Sequence, residues 1–163
     1  MHYLIDGHNL IAQLPDIRLS DPDDEDQLVR RLRRWMAAGR KRRITLFFDG
    51  GLPGGRSPHY SGGSLDVIFA SVGREADNLL IRRIGKARNP PEFTLVSSDG
   101  AIVAAAKARG MPVVDSKTFA SRLVLEATER GATPPAISAK EEPTLDAEDL
   151  AKWLDIFEAG KDE

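Results

Sequence analysis

Three aspartates follow apolar runs in this chain: Tyr3-Leu4-Ile5-Asp6-Gly7, Leu46-Phe47-Phe48-Asp49-Gly50 and Leu95-Val96-Ser97-Ser98-Asp99-Gly100. A fourth, Asp77, opens an expected helix at Glu75-Ala76-Asp77-Asn78. Carboxylates gathered in one crevice repel each other unless a cation lies between them. Oxygen ligands of this kind suit Mg²⁺ or Mn²⁺, so the pattern reads as that of a metal-dependent enzyme.

Each acid also has a plainer reading. Asp77 could serve the positive end of a helix dipole, although it shares a helical face with Ile81 and Ile84, which would place it over a sheet edge. Asp49 precedes Gly50-Gly51-Leu52-Pro53-Gly54-Gly55 and could belong to a turn. Asp-Gly at Asp6-Gly7 is a common turn pair, with Gly7 expected to let the backbone turn sharply. Asn9, three residues past Asp6, is placed to orient the aspartate or a metal-bound water. Asp115 reads as a helix cap, and Asp66 falls at the wrong end of its strand.

The elements that would bring these residues together alternate. Strands are expected at about 2–6, 43–48, 65–70, 93–97 and 111–114, and helices at about 23–38, 75–87, 100–109 and 117–130. The acids Asp23, Asp24, Glu25 and Asp26 are explained by the dipole of the first helix. Gly110 and Gly131 are helix stop signals. Strands alternating with helices predict a three-layer α/β/α sandwich around a mainly parallel five-stranded sheet. In such a sheet the strand ends share one edge, where residues distant in sequence converge. The expected organisation is a domain over 1–131, a linker over 132–144, and a C-terminal amphipathic helix with an acidic tail over 145–163. The helix carries Leu150, Trp153, Leu154 and Phe157 at helical spacing.

Charge is uneven. Residues 136–163 hold three Lys and nine acids, whereas 1–135 hold 20 basic and 16 acidic residues. Between Leu28 and Thr45 there are eight Lys or Arg and no acid. This stripe, with Arg30, Arg33, Arg34, Arg40, Arg42 and Arg43, could contact a phosphate backbone or could be an ordinary solvated helix face. The long Gly50–Ser64 loop adds Arg56 for phosphate and Tyr60 for stacking on an unpaired base. It also holds His59, the histidine expected to be best placed for proton transfer. The absence of cysteine excludes disulfides and thiolate chemistry and agrees with a reducing cytoplasm. A strand starting by His2 leaves no room for a signal peptide, and no apolar run is long enough to span a membrane. Neither a phosphate-binding Gly-x-x-x-x-Gly-Lys-Ser/Thr loop nor a Gly-x-Ser-x-Gly elbow is present.

Taken in order, Ile5-Asp6-Gly7-His8-Asn9-Leu10, Phe47-Phe48-Asp49-Gly50, Glu75-Ala76-Asp77-Asn78-Leu79-Leu80 and Val96-Ser97-Ser98-Asp99 resemble the NYN domains of the PIN-like nuclease superfamily, nearest to the YacP-like branch. The likeness runs over about residues 2–130. It implies a PIN-like fold, a Mg²⁺ or Mn²⁺ site and ribonuclease activity, in some relatives on messenger RNA at the ribosome. By position, Asp6, Asp77 and Asp99 match the family's acidic residues and Asn9 their polar companion. Asp49 matches a recurrent motif of open role, and neither segment 40–43 nor the C-terminal helix is assigned by the resemblance. The leading expectation is a metal-dependent endoribonuclease. Its rivals are a catalytically weak RNA- or ribosome-binding module and, more remotely, a phosphotransfer enzyme.

Overall fold

A computed structural model describes residues 1–132 except Arg40, Leu52, Pro53, Gly73 and Arg74. The chain divides into a compact unit, Met1–Glu129, and a second, Arg130–Glu163. The linker and final helix expected at 132–163 lie outside the described residues except for Ala132.

Strand β1 (His2–Asp6) leads through a short helix α1 (Gly7–Ile11) to helix α2 (Asp24–Ala38) and strand β2 (Arg43–Gly51). Then come strands β3 (Gly55–Arg56) and β4 (Leu65–Ser71), helix α3 (Ala76–Gly85), strand β5 (Phe93–Val96), helix α4 (Gly100–Ala108), strand β6 (Val113–Val114) and helix α5 (Ser116–Ala132). The sheet has six strands, one more than expected, in the order β3-β4-β2-β1-β5-β6. The extra strand is β3, a two-residue piece of the Gly50–Ser64 loop paired antiparallel to β4; the remaining neighbours are parallel.

Strand alternation sorts the core into two layers. Tyr3, Ile5, Leu46, Phe48 and Val67 face Leu10, Leu28, Leu32, Trp35, Phe119 and Leu123 on α1, α2 and α5. Leu4, Phe47 and Leu95 face Ala76, Leu80, Ile84, Ile102 and Ala106 on α3 and α4. Because successive strand residues point to opposite faces, both faces of the central strands are apolar, as a sheet buried between helices requires.

Three local expectations change. Helix α1 occupies the start of a segment expected to be loop. Gly7 shows no positive φ; its need is space, since a Cβ there would lie 2.3 Å from the Phe48 ring and 2.9 Å from the Phe47 carbonyl. Gly131 does not stop α5, which runs to Ala132. Gly110 does adopt the left-handed conformation after α4, with φ 68°.

Candidate metal and nucleic-acid site

Sequence order runs outward from β1 through β2 to β4, and the chain then returns to β5 on the other side of β1. The carboxyl ends of β1 and β5 therefore flank the switch point of the sheet, where open α/β folds have their ligand crevice. Asp6 ends β1, and Asp99 follows β5 directly. Asp49 lies near the end of β2, and Asp77 is in the first turn of α3.

Each of three aspartates is held by backbone N–H groups. Asp6 Oδ1 accepts from the Asn9 amide at 3.4 Å, capping α1. Asp99 Oδ1 accepts from Ala101 and Ile102 at 3.0 and 3.2 Å, capping α4. Asp49 Oδ1 accepts from the Ala76 amide at the start of α3. This contact gives Asp49 a role that the motif left open: it fixes the helix that carries Asp77. Asp77 is half-buried, not turned fully into solvent.

The group is electrostatically tense. Asp6, 7% exposed, has its carboxyl pushed up to about 6, first by burial and then by Asp77 and Asp49, against the opposing Asn9 N–H and His8. Asp77 is also raised, by burial and then by Asp99, Asp49 and Glu75. Asp6 thus feels the charges of Asp77 and Asp49, and Asp77 those of Asp99 and Asp49. Among the described residues, no three His, Asp or Glu side chains are close enough to form a ready-made ion cage. Mg²⁺ commonly keeps several waters and takes only one or two carboxylates together with substrate phosphates. An all-oxygen, mutually repelling set is therefore a fit for Mg²⁺ or Mn²⁺ bound in that open manner.

Asn9 clasps three segments. Its Oδ1 accepts from the Ser98 amide at 3.0 Å and from the Ser116 hydroxyl, joining the end of β1 to the loop bearing Asp99 and to the start of α5. Ser98 Oγ accepts from the Ser116 amide at 3.0 Å, and Ser97 Oγ from the Asp99 amide at 3.1 Å. Asp115 caps α5 through the Thr118 amide, as expected.

The histidine beside the carboxylates is His8. Its Nδ1 is 3.6 Å from Asp49 and its Nε2 3.4 Å from Glu25, and its ring lies 5.1 Å from that of Phe48. His59 is exposed and packs edge-on against Tyr60. Glu25, expected only to serve the helix dipole, is raised by burial and faces His8. The adjacency of His8 to Asp6 was the available signal; its pairing with Glu25 depends on where α2 packs.

The expected RNA-binding residues lie elsewhere. Arg30 pairs with Asp26 at 2.8 Å, and Arg33 donates to the Tyr60 carbonyl at 2.7 Å. Arg34 is exposed, and Arg40 lies outside the described residues. Arg42 stacks 3.9 Å above the Trp35 ring and donates to the Trp35 carbonyl at 2.6 Å and to Glu126 at 3.3 Å. Arg43 and Arg56 share Asp66 at 3.6 and 2.8 Å. Tyr60 is partly buried against Phe69. Arg42 and Arg43 sit at the amino ends of the strands, across the sheet from the aspartates.

A mainly parallel α/β sandwich with carboxylates at its switch point agrees with the expected PIN-like fold. The profile of the YacP-like NYN domain matches residues 3–158. The chain belongs to that family, which supports an RNA-related, nuclease-type function. The match extends well past residue 130 and takes in the C-terminal stretch that the motifs alone leave unassigned. Among solved structures, Rae1 (YacP) from Bacillus subtilis is similar at 17% identity and TM-score 0.62, over 98% of this chain and 90% of that one. A tryptophan-to-leucine mutant of that protein gives 18% identity and TM-score 0.60, over 80% and 77%. No curated protein sequence matches significantly. No helix among the described residues is long and apolar enough to cross a membrane.

Proposed function

We propose that the chain is a divalent-metal-dependent endoribonuclease acting in the cytoplasm on RNA, including messenger RNA at the ribosome. The observation that carries this reading is the meeting of Asp6 and Asp99 at the adjoining carboxyl ends of β1 and β5 in a chain of the YacP-like NYN family. Asp6, Asp77 and Asp99 would hold Mg²⁺ or Mn²⁺. The bound ion would supply Lewis-acid polarisation of the phosphodiester and an activated water. Asp99 commits one oxygen to the amides of α4 and keeps the other for this task. Asn9 holds the Asp99 loop against the end of β1, Asp49 fixes the start of α3, and His8 is anchored between Asp49 and Glu25.

The absence of a closed ion cage among the described residues favours a second reading, an RNA- or ribosome-binding module with a weak catalytic site. One assay separates the two. A panel of single-stranded and structured RNAs is incubated with the full chain in Mg²⁺, Mn²⁺ or EDTA, beside Asp6→Asn and Asp77→Asn. Cleavage that needs the metal and is lost in both variants supports the nuclease. Binding without metal-dependent cleavage supports the module.

A further inference from the structure

The amino edge of the sheet carries a groove that the carboxylate site does not use. Its volume is about 640 Å³ and its walls come from the end of α2, the turn between α2 and β2, and the turn before β4. Arg33, Lys41 and Arg42 line it together with Ser61 and Ser64, and no carboxylate is among its described lining residues. Arg42 is held by Trp35 and Glu126, and Arg33 by the Tyr60 carbonyl. Lys41 is exposed, and no carboxylate among the described residues pairs with its ammonium.

Helix α2 connects this groove to the carboxyl edge. Glu25, in its first turn, faces His8 beside the aspartates, while Met36 and Ala37, in its last, line the groove. Fifteen residues at ~1.5 Å each make the helix ~22 Å long. Arg30, Arg33, Arg34 and Ala37 follow one another at helical spacing along its exposed flank. In the Arg30–Asp26 pair the guanidinium is exposed and the carboxylate half-buried, so Arg30 can also meet a phosphate arriving from solvent. Cations about a turn apart suit a polymer with a charge on every unit, and the exposed Ser64 hydroxyl can meet a sugar hydroxyl.

We infer that the Arg33–Lys41–Arg42 groove is an RNA-backbone site remote from the cleavage point, reached by a strand lying along the exposed flank of α2. The proposal rests on the RNA-cleaving function proposed above. RNA that engages both edges must therefore span ~22 Å, a length of several nucleotides.

The test uses Lys41→Asn in the full chain. Lys41 has φ 58°, a conformation asparagine tolerates well, so the charge goes while the turn stays. Affinity for a labelled single-stranded twenty-mer is measured by anisotropy in EDTA over a salt series, beside Lys107→Asn, which removes an exposed lysine of α4 outside the groove. Lys41→Asn should bind severalfold more weakly, with a salt slope shallower by ~0.7, and Lys107→Asn as the wild type does. Adding Arg33→Gln to Lys41→Asn should deepen the loss. Unchanged affinity and slope in Lys41→Asn would overturn the groove, as would equal weakening in Lys107→Asn. Cleavage by wild type and Asp6→Asn is measured in parallel with Mn²⁺. Groove-dependent binding with no metal-dependent cleavage would leave the groove standing and remove the nuclease reading; the reverse would remove only the groove.

Discussion

Asp6→Asn should stabilise the metal-free protein at neutral pH while abolishing cleavage. Asp6 is 7% exposed, and its carboxyl is pushed from its ordinary 3.8 up to about 6, chiefly by burial. Between those two values the folded chain retains a proton that the unfolded chain has released. Stability therefore falls as pH rises through that window, and the whole penalty is present above about 6. Each pH unit is worth ~1.4 kcal/mol, so the separation corresponds to ~3 kcal/mol. Asparagine keeps an oxygen for the Asn9 amide, which limits what is lost. The gain at neutral pH should thus be ~1–3 kcal/mol, shrinking toward zero as pH falls below 4.

Urea unfolding in EDTA, followed by tryptophan fluorescence with Trp35 as a buried reporter, measures the difference between the two proteins at each pH. Titrating groups remote from Asp6 contribute alike to both proteins and cancel, whereas Asp77 and Asp49, which repel Asp6, add to the gain of the asparagine variant. Excess Mn²⁺ should then stabilise the wild type, by ~2.7 kcal/mol at a hundredfold excess over Kd, and should stabilise Asp6→Asn much less. A pH-independent difference, or an asparagine variant weaker than wild type at neutral pH, would refute the picture of a strained carboxylate.

Gly7→Ala should cost ~1–3 kcal/mol and lower Tm, because its methyl would collide with the Phe48 ring and the Phe47 carbonyl. Arg42→Ala removes the stack on Trp35 and the bonds to Trp35 and Glu126, and calorimetry should register a loss of ~1–2 kcal/mol. Asn9→Ala leaves the Ser98 amide and the Ser116 hydroxyl without their shared acceptor; stability should fall by ~1–2 kcal/mol, with cleavage reduced and hydrogen exchange at Ser98 accelerated.

Most of the scaffold was legible because its signals are local. Tyr3 to Ile5 and Leu46 to Phe48 are apolar on both faces, as strands sandwiched between helices must be, and α2 announces itself by Leu28, Leu32 and Trp35. Helix α1 was hidden because five residues are too few to show a period, and β3 because two residues in a glycine-rich loop carry no alternation. The basic stripe was legible as charge, while its division between α2 and the amino edge was not. Arg42 and Arg43 are only a few residues from Arg34, yet they sit beyond the end of the helix, beside Trp35 and Asp66. Likewise His8 meets Glu25 only because α1 and α2 pack together on one face of the sheet.

The carboxylates present a different case. For Asp49, Asp77 and Asp99 the sequence allows a turn or cap on one side and a ligand on the other. A carboxylate has two oxygens, and the caps seen here use one of them: Oδ1 of Asp6 toward α1, of Asp99 toward α4 and of Asp49 toward α3. Capping and ligation are therefore compatible tasks for one side chain. Amide donors also favour the ionised form of the acid they bind. Among the three aspartates that accept amide donors, Asp6 has the weakest support, a single amide at 3.4 Å, and burial with the charges of Asp77 and Asp49 forces its carboxyl up to about 6. The Asn9 amide and His8 offset only part of that strain, and fuller relief calls for a cation. A divalent cation near Asp6 and Asp77 would provide it, so the residue least satisfied in the bare fold is the one from which metal binding should draw the most.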